Sequence, residues 1–499
     1  MKIFTKRILI GLTILQAACY GFTASEISVT SEKQHAAKPN ILFIFADDLR
    51  ADALGYAGNT IIQTPNIDQL AASGTHFKNC YVMGGHHGAI CAPSRAMLMS
   101  GKSLFHVYDK LDGVHTMPQH FAENGYETFG TGKWHNGAET FEASFQKGKT
   151  IMLGGMSDHF KVPVCDLDAN RKLGKPVVKG FSTDIFTESA LSYLDEYAKG
   201  SRKNPFFCYV AYTAPHDPRS PREDYIGKYP EKDIPLPGNY KPVHPFDFGD
   251  AQVRDENLAP WPRTPEIIKA TLSDYYGLIS HLDARIGDLI QSLKEKGLYE
   301  NTIIVFAADN GLAVGSHGLL GKQSLYEHSM KVPLILTGPG IPKNSATDAL
   351  VYLFDIFPTL TTVACLPEPE RIDGKNLSDV ISGKSAQVRE SSFTAYRHLV
   401  RAVRDQEWKL IRYPNRDYTQ LFNLKKDPLE LENLAGKPAY RKQEERLKKR
   451  LIRWQQQTGD TVAYTAKTIL PMQYKPEQFE RTMDQQQPVY TQKKYWDKR

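Results

Sequence analysis

The chain has 499 residues, of which 41% are hydrophobic, 24% charged and 11% aromatic. That composition excludes collagen-like, coiled-coil and largely disordered classes, and the length allows about three domains or one large α/β domain with an appendage. The formal net charge is +6, but Lys2, Lys6 and Arg7 stand at the start without an acid, and Lys437 to Arg499 hold 15 basic against 7 acidic side chains. The body between is therefore net acidic, unlike a nucleic-acid binder, whose positive charge sits on the binding domain itself.

The first residues read as an export signal. Lys2 to Arg7 are basic, Ile8 to Ala18 are apolar, and Thr23, Ala24 and Ser25 suit cleavage near Ser25. The apolar stretch is too short to span a bilayer. Release into the periplasm or medium is expected, with lipidation at Cys19, after Ala17-Ala18, as the alternative. No later segment is apolar enough to cross a membrane. Five cysteines follow, Cys80, Cys91, Cys165, Cys208 and Cys365. They lack metal-binding spacing, and their odd number leaves at least one unpaired.

After a polar linker, Pro39 to Ala46 is a near-continuous apolar run, as in strands buried on both faces of a parallel sheet. Similar runs recur at Pro205 to Ala211, Thr302 to Ala308 and Val332 to Leu336. Between them lie helix-like stretches, Pro65 to Ala72 opened by Thr64, Pro93 to Ser100, and Pro265 to Lys296 ending at Gly297. The alternation predicts an α/β fold with a large doubly wound, mixed or parallel sheet flanked by helices. Pro215 to Pro265, rich in Pro, Asp and Lys, reads as long irregular excursions of a length that is usually functional. From Ser391 short alternating strands appear at Phe393 to Tyr396, Val400 to Val403, Trp408 to Arg412 and Gln420 to Asn423. A helix from Arg441 to Gln457 follows, with Leu447, Leu451 and Trp454 on one face. These predict a smaller C-terminal α+β domain, an antiparallel sheet plus a helix. The expected organisation is a signal over 1–25, a catalytic domain over 39–385, the α+β subdomain over 386–470 and an irregular tail over 471–499.

Ligands of open α/β sheets gather at the carboxyl ends of strands. Asp47 and Asp48 stand where the first buried strand stops, and Asp309 and Asn310 where Ile303 to Ala308 stops. Each pair alone reads as turn residues closing a strand. Together they offer four oxygen donors at equivalent places, which suits calcium or magnesium. Pro93 fits the first turn of a helix, which puts Cys91 at a helix amino end, where backbone N–H groups favour anions.

The segment Cys91-Ala92-Pro93-Ser94-Arg95, continuing to Gly101-Lys102, resembles the signature of the type I, formylglycine-dependent sulfatases of the alkaline-phosphatase-like superfamily. Gly125 to His135 is similar to the family's second signature, and Pro215-His216-Asp217-Pro218, Asp309-Asn310-Gly311, Gly321-Lys322, Asp355 to Thr359, Leu421 to Leu424 and Asp427-Pro428 extend the match. The resemblance runs from Pro39 to Leu434, is closest in character to bacterial carbohydrate sulfatases, and implies an alkaline-phosphatase-like fold. It implies that a formylglycine-generating maturation enzyme oxidises Cys91, and that Asp47, Asp48, Asp309, Asn310 and the modified residue 91 bind one Ca2+ rather than Mg2+. By the same resemblance, Arg95 and Lys133 stabilise the ionised aldehyde hydrate and His135 is the base for its collapse. His216 and Lys322 contact the sulfate, one of them as general acid. The chemistry is coherent: a hydrated aldehyde has two hydroxyls, one to attack sulfur and one to expel sulfate by C–O cleavage. The departing oxygen, gaining negative charge, needs cations and a proton donor.

His86, His87, Asn136, Asp217, Arg397, His398 and Arg401 are candidates for substrate contact, since sugar sites use such groups for hydroxyls, carboxylates and sulfates. The expected function is an exported, calcium-dependent sulfatase acting on a sulfate ester of a glycosaminoglycan, mucin-type or algal carbohydrate. The alternatives are an arylsulfatase, a phosphonate or phosphodiester hydrolase with the same apparatus, or a catalytically dead sulfated-glycan binding protein with Cys91 unmodified.

Overall fold

Asn40–Ala46 is buried along its whole length because two parallel neighbours, Phe206–Ala211 and Thr302–Ala308, flank it in one sheet. Both neighbours are equally buried, so the apolar runs of the sequence form the sheet centre, where covering on both faces leaves no polar side. The computed structural model describes residues 38–476, 484 and 487–496; the expected export signal and Cys19 lie outside the described residues.

The large sheet has nine strands, in the order Lys331–Val332, Gly74–Tyr81, Leu334–Thr337, Thr302–Ala308, Asn40–Ala46, Phe206–Ala211, Glu127–Lys133 and Lys147–Met152, with Ser345–Tyr352 also paired to Gly74–Tyr81. It is mixed, because Leu334–Thr337 runs antiparallel to both of its partners. One group of flanking helices, Pro65–Ala72, Ser182–Lys199 and Pro265–Glu295, packs together, and a second is built from Cys91–Ser100, Met117–Glu123 and Ile356–Val363. The long helix starts where sequence places it: Pro265 is its first residue and the Thr264 hydroxyl accepts from Ile267 N at 3.3 Å.

The second sheet joins Tyr418–Asn423, Trp408–Tyr413, Val400–Arg404 and Ser392–Tyr396 in antiparallel order. The helix Arg441–Thr458 packs on it, burying Leu447 and Leu451. Gly84–Gly85 then pairs in parallel with Ala395 and Tyr396. Gly84 has φ +107°, and a Cβ there would lie 1.9 Å from Ala395 O, so only glycine allows this joint. It brings the loop leading into Cys91 beside the start of the C-terminal sheet.

The tail departs from expectation. Val489–Trp496 is a helix, not irregular chain, and packs against Pro265–Glu295. The five described cysteines are all unpaired, four buried and Cys365 exposed. Among the described residues no helix is long and apolar enough to cross a membrane.

A buried ion pair fixes the junction after Ser345–Tyr352. The Asp355 carboxylate accepts from Tyr352 N at 2.7 Å, Lys375 N at 2.8 Å and Arg389 at 2.5 and 2.7 Å, and the guanidinium lies 4.8 Å from the Tyr352 ring centroid. Arg389→Met should destabilise the protein by about 3–5 kcal/mol, because it strands a buried carboxylate. Urea unfolding measures this; a loss within about 0.5 kcal/mol, the range of an ordinary surface substitution, would show the pair to be dispensable.

Candidate active site

The central strands run directly into the site. Asp47 N donates to Ala214 O and Asp309 N to Ala46 O, each at 3.2 Å, so three chain segments remain aligned past the end of the sheet. Asp48 adopts a left-handed backbone, φ 60°, which Asp tolerates better than most residues. Tyr275, on the long helix, holds it there: its hydroxyl donates to Asp48 O at 2.7 Å and accepts from Arg50 N at 3.0 Å. Asp48 N donates to Asp309 Oδ1 at 3.1 Å. Asp47, Asp48, Asp309 and Asn310 are all fully buried.

Three cations from three parts of the chain meet these acids. Lys133 closes Glu127–Lys133 and its amine contacts Asp47 Oδ2. Arg95, on the helix Cys91–Ser100, contacts Asp309 Oδ2 through two nitrogens at 2.9 Å and donates to Lys133 O at 2.7 Å. Lys322 lies 2.7 and 3.0 Å from the Asp48 oxygens and 3.1 Å from Cys91 Sγ. Cys91 is the first residue of its helix, with Sγ 3.7 Å from Asp48 Oδ1. His216 Nε2 is 3.6 Å from Asp48 Oδ2. Its Nδ1 bonds to Asp217 O at 2.7 Å, and since a carbonyl only accepts, that nitrogen carries hydrogen.

The donor set fits a divalent cation. Asp47, Asp48, Cys91 and His216 bring ligand atoms within 4.8 Å of one another. Asp47 Oδ1 and Asn310 Oδ1 are buried without a hydrogen-bond partner, a cost of about 1–3 kcal/mol each if nothing fills the gap. A hard cation is the partner such oxygens take.

Electrostatics separates the titrating groups. Burial raises the Asp47 carboxyl, yet Lys133, His216 and Arg95 outweigh it and hold the group below the usual range. Asp309 moves up, through burial and the nearby charge of Asp47, despite Arg95. Burial, then Asp309 and Asp47, push the Cys91 thiol well above its ordinary value, so the unmodified side chain is a neutral thiol and a poor nucleophile. Burial opposes charge on Lys322, but Asp48, Cys91 and Asp255 raise it well above normal. His135 falls to about 2, from burial and then Lys133 and Arg95, which leaves its imidazole neutral.

The substrate candidates separate by what holds them. His86 and His87 are exposed on the loop before Cys91, His86 touching Leu104 O at 3.0 Å and His87 Asp109 at 3.2 Å. Arg397 N donates to Gly85 O at 2.8 Å, which sets Arg397 and the exposed His398 beside that loop; the Arg397 side chain meets Asp250 at 3.0 Å. Asn136 is buried and gives both amide hydrogens to backbone, Ala92 O at 3.0 Å and Asp109 O at 2.5 Å, so its amide braces the start of the Cys91 helix. Asp217 is buried against Arg254. Arg401 requires a correction. Its guanidinium is buried, with four of five donors on Asp460, Arg397 O and Val400 O, so it holds the C-terminal subdomain together and is not free to bind a sugar.

Sequence reasoning missed several residues. Asp255 is 3.8 Å from Lys322, and Gln323 ties Asp255 to Gly88 O at 2.9 and 2.8 Å. Both lie outside periodic elements; the length of the 215–265 excursion was the one signal. Gly155 gave none, yet a Cβ on it would lie 2.5 Å from His135 Nε2.

A carboxylate and amide cluster at strand ends, three buried cations and a cysteine opening a helix define a hydrolase of anionic esters on a mixed α/β sheet. The chain belongs to the sulfatase family: the family model described as Sulfatase matches residues 39–365, and the one for the N-sulphoglucosamine sulphohydrolase C-terminal region matches 315–457. It is a sulfuric ester hydrolase. An arylsulfatase of Clostridium perfringens is 29% identical over 467 residues, covering 83% of this chain and 94% of that protein. An N-acetylglucosamine-6-O-sulfatase of Bacteroides thetaiotaomicron is 28% identical, covering 88% and 90%. A solved structure in complex with its substrate, D-glucosamine-2-N,6-O-disulfate, aligns with a TM-score of 0.73 and 25% identity, covering 85% of this chain and 99% of that one.

Gly155→Ala tests the placing of His135. The new methyl must displace the ring, and a shift near 1 Å costs roughly 10²-fold in rate. The expected result is such a loss in kcat at an unchanged Tm; an unaltered kcat would show that the ring position is unimportant.

Proposed function

We propose that this sulfatase is exported, carries calcium and formylglycine, and desulfates an amino sugar or closely related carbohydrate. The observation that carries the substrate class is the likeness, over 99% of its length, to a structure bound to a sulfated glucosamine. The exposed His86, His87 and His398 and the partly exposed Arg397 on adjoining segments beside Cys91 supply the polar rim that a sugar requires.

Asp47, Asp48, Asp309, Asn310 and residue 91 would hold the calcium ion. Calcium supplies positive charge beside the sulfate, and the formylglycine supplies a hydroxyl in place of a thiol. Arg95 and Lys133 fix the carboxylates around residue 91. Lys322 and His216 approach Asp48 from different segments and bind the sulfate oxygens. Lys322 holds its proton tightly, so His216 is the better general acid: it protonates the bridging oxygen as the bond from sulfur to the sugar oxygen breaks. As the family resemblance implies, His135 takes the proton that releases sulfate from residue 91, and the hydroxyl sugar leaves unchanged in configuration.

A panel of sulfated glucosamines, galactosamines and algal oligosaccharides, with an aryl sulfate and a phosphodiester alongside, tests the substrate. Highest kcat/KM on a sulfated amino sugar is expected; a preference for the phosphodiester would overturn the reading.

Complete chelation should abolish turnover, with calcium restoring it better than magnesium. Activity that survives metal removal would refute the assigned ligands. Protein from the native host should label with an aldehyde-reactive hydrazide at residue 91, and Cys91→Ala should lose both label and activity; an intact thiol in active enzyme would refute the formylglycine.

A further inference from the structure

We propose that the C-terminal segment, residue 484 with residues 487–496, is a positioning element of the active site, and that Gln487 couples it to the loop that carries His216 and to the loop, at Gly155 and Met156, that packs against His135. The proposal rests on the catalytic roles given above to those histidines.

The segment is anchored at its far end. In Val489–Trp496, Lys494 Nζ lies 2.6 Å from both oxygens of Asp274, and the Tyr495 hydroxyl donates to Asp274 Oδ2 at 2.9 Å and to Arg219 O at 3.5 Å. Thr491 and Tyr495 are buried there. Just ahead of the helix, the buried side chain of Gln487 donates its amide to the Asp217 carboxylate and approaches Met156 Sδ at 3.6 Å.

These two contacts lead to two different histidines of the site. Asp217 follows His216 directly, with its own Oδ1 3.5 Å from His216 Nδ1 and its carbonyl on the same nitrogen at 2.7 Å. Met156 follows Gly155, the residue whose Cα faces His135 Nε2 so closely that no Cβ fits. One amide group therefore contacts the neighbours of both imidazoles. Arg254 closes the arrangement: it contacts Asp217 and Met156, Asp255 at 3.0 Å and, from the tail, Asp484 at 2.7 Å. Asp255 in turn is the acid beside Lys322.

Catalytic groups hold their geometry only when surrounding residues lock them. Here the locking residue lies 270 positions from Asp217 and 331 from Met156 in sequence. Gln487 acts on the site through Asp217 and Met156, so its effect falls on the chemical step.

The test uses the full chain matured in its native host, assayed on a sulfated glucosamine and on an aryl sulfate. Gln487→Ala should lower kcat at least roughly tenfold on both substrates, as small displacements of reacting groups do, with KM and Tm unchanged. Gln487→Glu, which sets a second carboxylate against Asp217, should lower it further, Gln487→Asn should retain part of the rate, and Lys493→Ala on the exposed face should match wild type. An unchanged kcat in Gln487→Ala and Gln487→Glu would overturn the proposal, as would a loss confined to KM for the sugar, which would make the segment a substrate wall. Full kcat in His135→Ala and His216→Ala would instead remove the catalytic assignment beneath it.

Discussion

The active site depends on holding three buried carboxylates side by side. Asp47, Asp48 and Asp309 have no exposure, and each ion taken out of water costs several kcal/mol unless a partner offsets it. Lys133, Lys322 and Arg95 are those partners, one per acid. They come from a strand end, a long loop and a helix, so charge balance at two strand ends ties three otherwise separate stretches of chain together. The balance is neutral before any metal binds. A divalent cation would tip the cluster to a surplus of two positive charges, the field that a sulfate ester needs, inside a body that is otherwise acidic.

The backbone beneath this cluster is supported from one helix. Tyr275 holds the left-handed Asp48 through its carbonyl, and the preceding residue, Asp274, anchors Lys494 and Tyr495 of the terminal helix. Adjacent positions of Pro265–Glu295 thus serve the metal-ligand turn and the segment behind the catalytic histidines. Burial over most of that helix makes it a rigid reference for both, which suits a site whose groups must stay in place while substrate comes and goes.

Much of this was legible in the sequence, for physical reasons that can be named. Central strands buried on both faces must be apolar throughout, so Asn40–Ala46 and Thr302–Ala308 announce themselves, and with them the acids at their ends. Gly74–Tyr81 is less plain: its buried pattern is broken by Lys78 and Asn79 at the sheet margin. Glu127–Lys133 looks unlike a strand because of its glycines, yet a Cβ on Gly132 would lie 1.8 Å from Ala211 O, so close approach of neighbouring backbones, not β propensity, selects the residue. The terminal helix has no continuous apolar stripe; Asp274, which holds it, and Asp217, which holds Gln487 ahead of it, lie more than two hundred positions away. Arg401 misled because an arginine next to a site motif and an arginine clasped by Asp460 are identical in sequence.

The basic C-terminal region acquires a different meaning once its partners are known. Arg446 and Arg450 reach Asp405, Arg450 also Glu390, Lys437 pairs with Glu432, and Lys494 with Asp274. That positive charge is thus partly spent on intramolecular contacts. Exposed charges farther than about 8–10 Å from a substrate are also screened at physiological salt, whereas a buried cluster is not. On the proposed reading, recognition of the sulfate falls to Lys322 and His216 at the sheet end, beside carboxylates held by Arg95 and Lys133, while the tail would act by where it holds the chain.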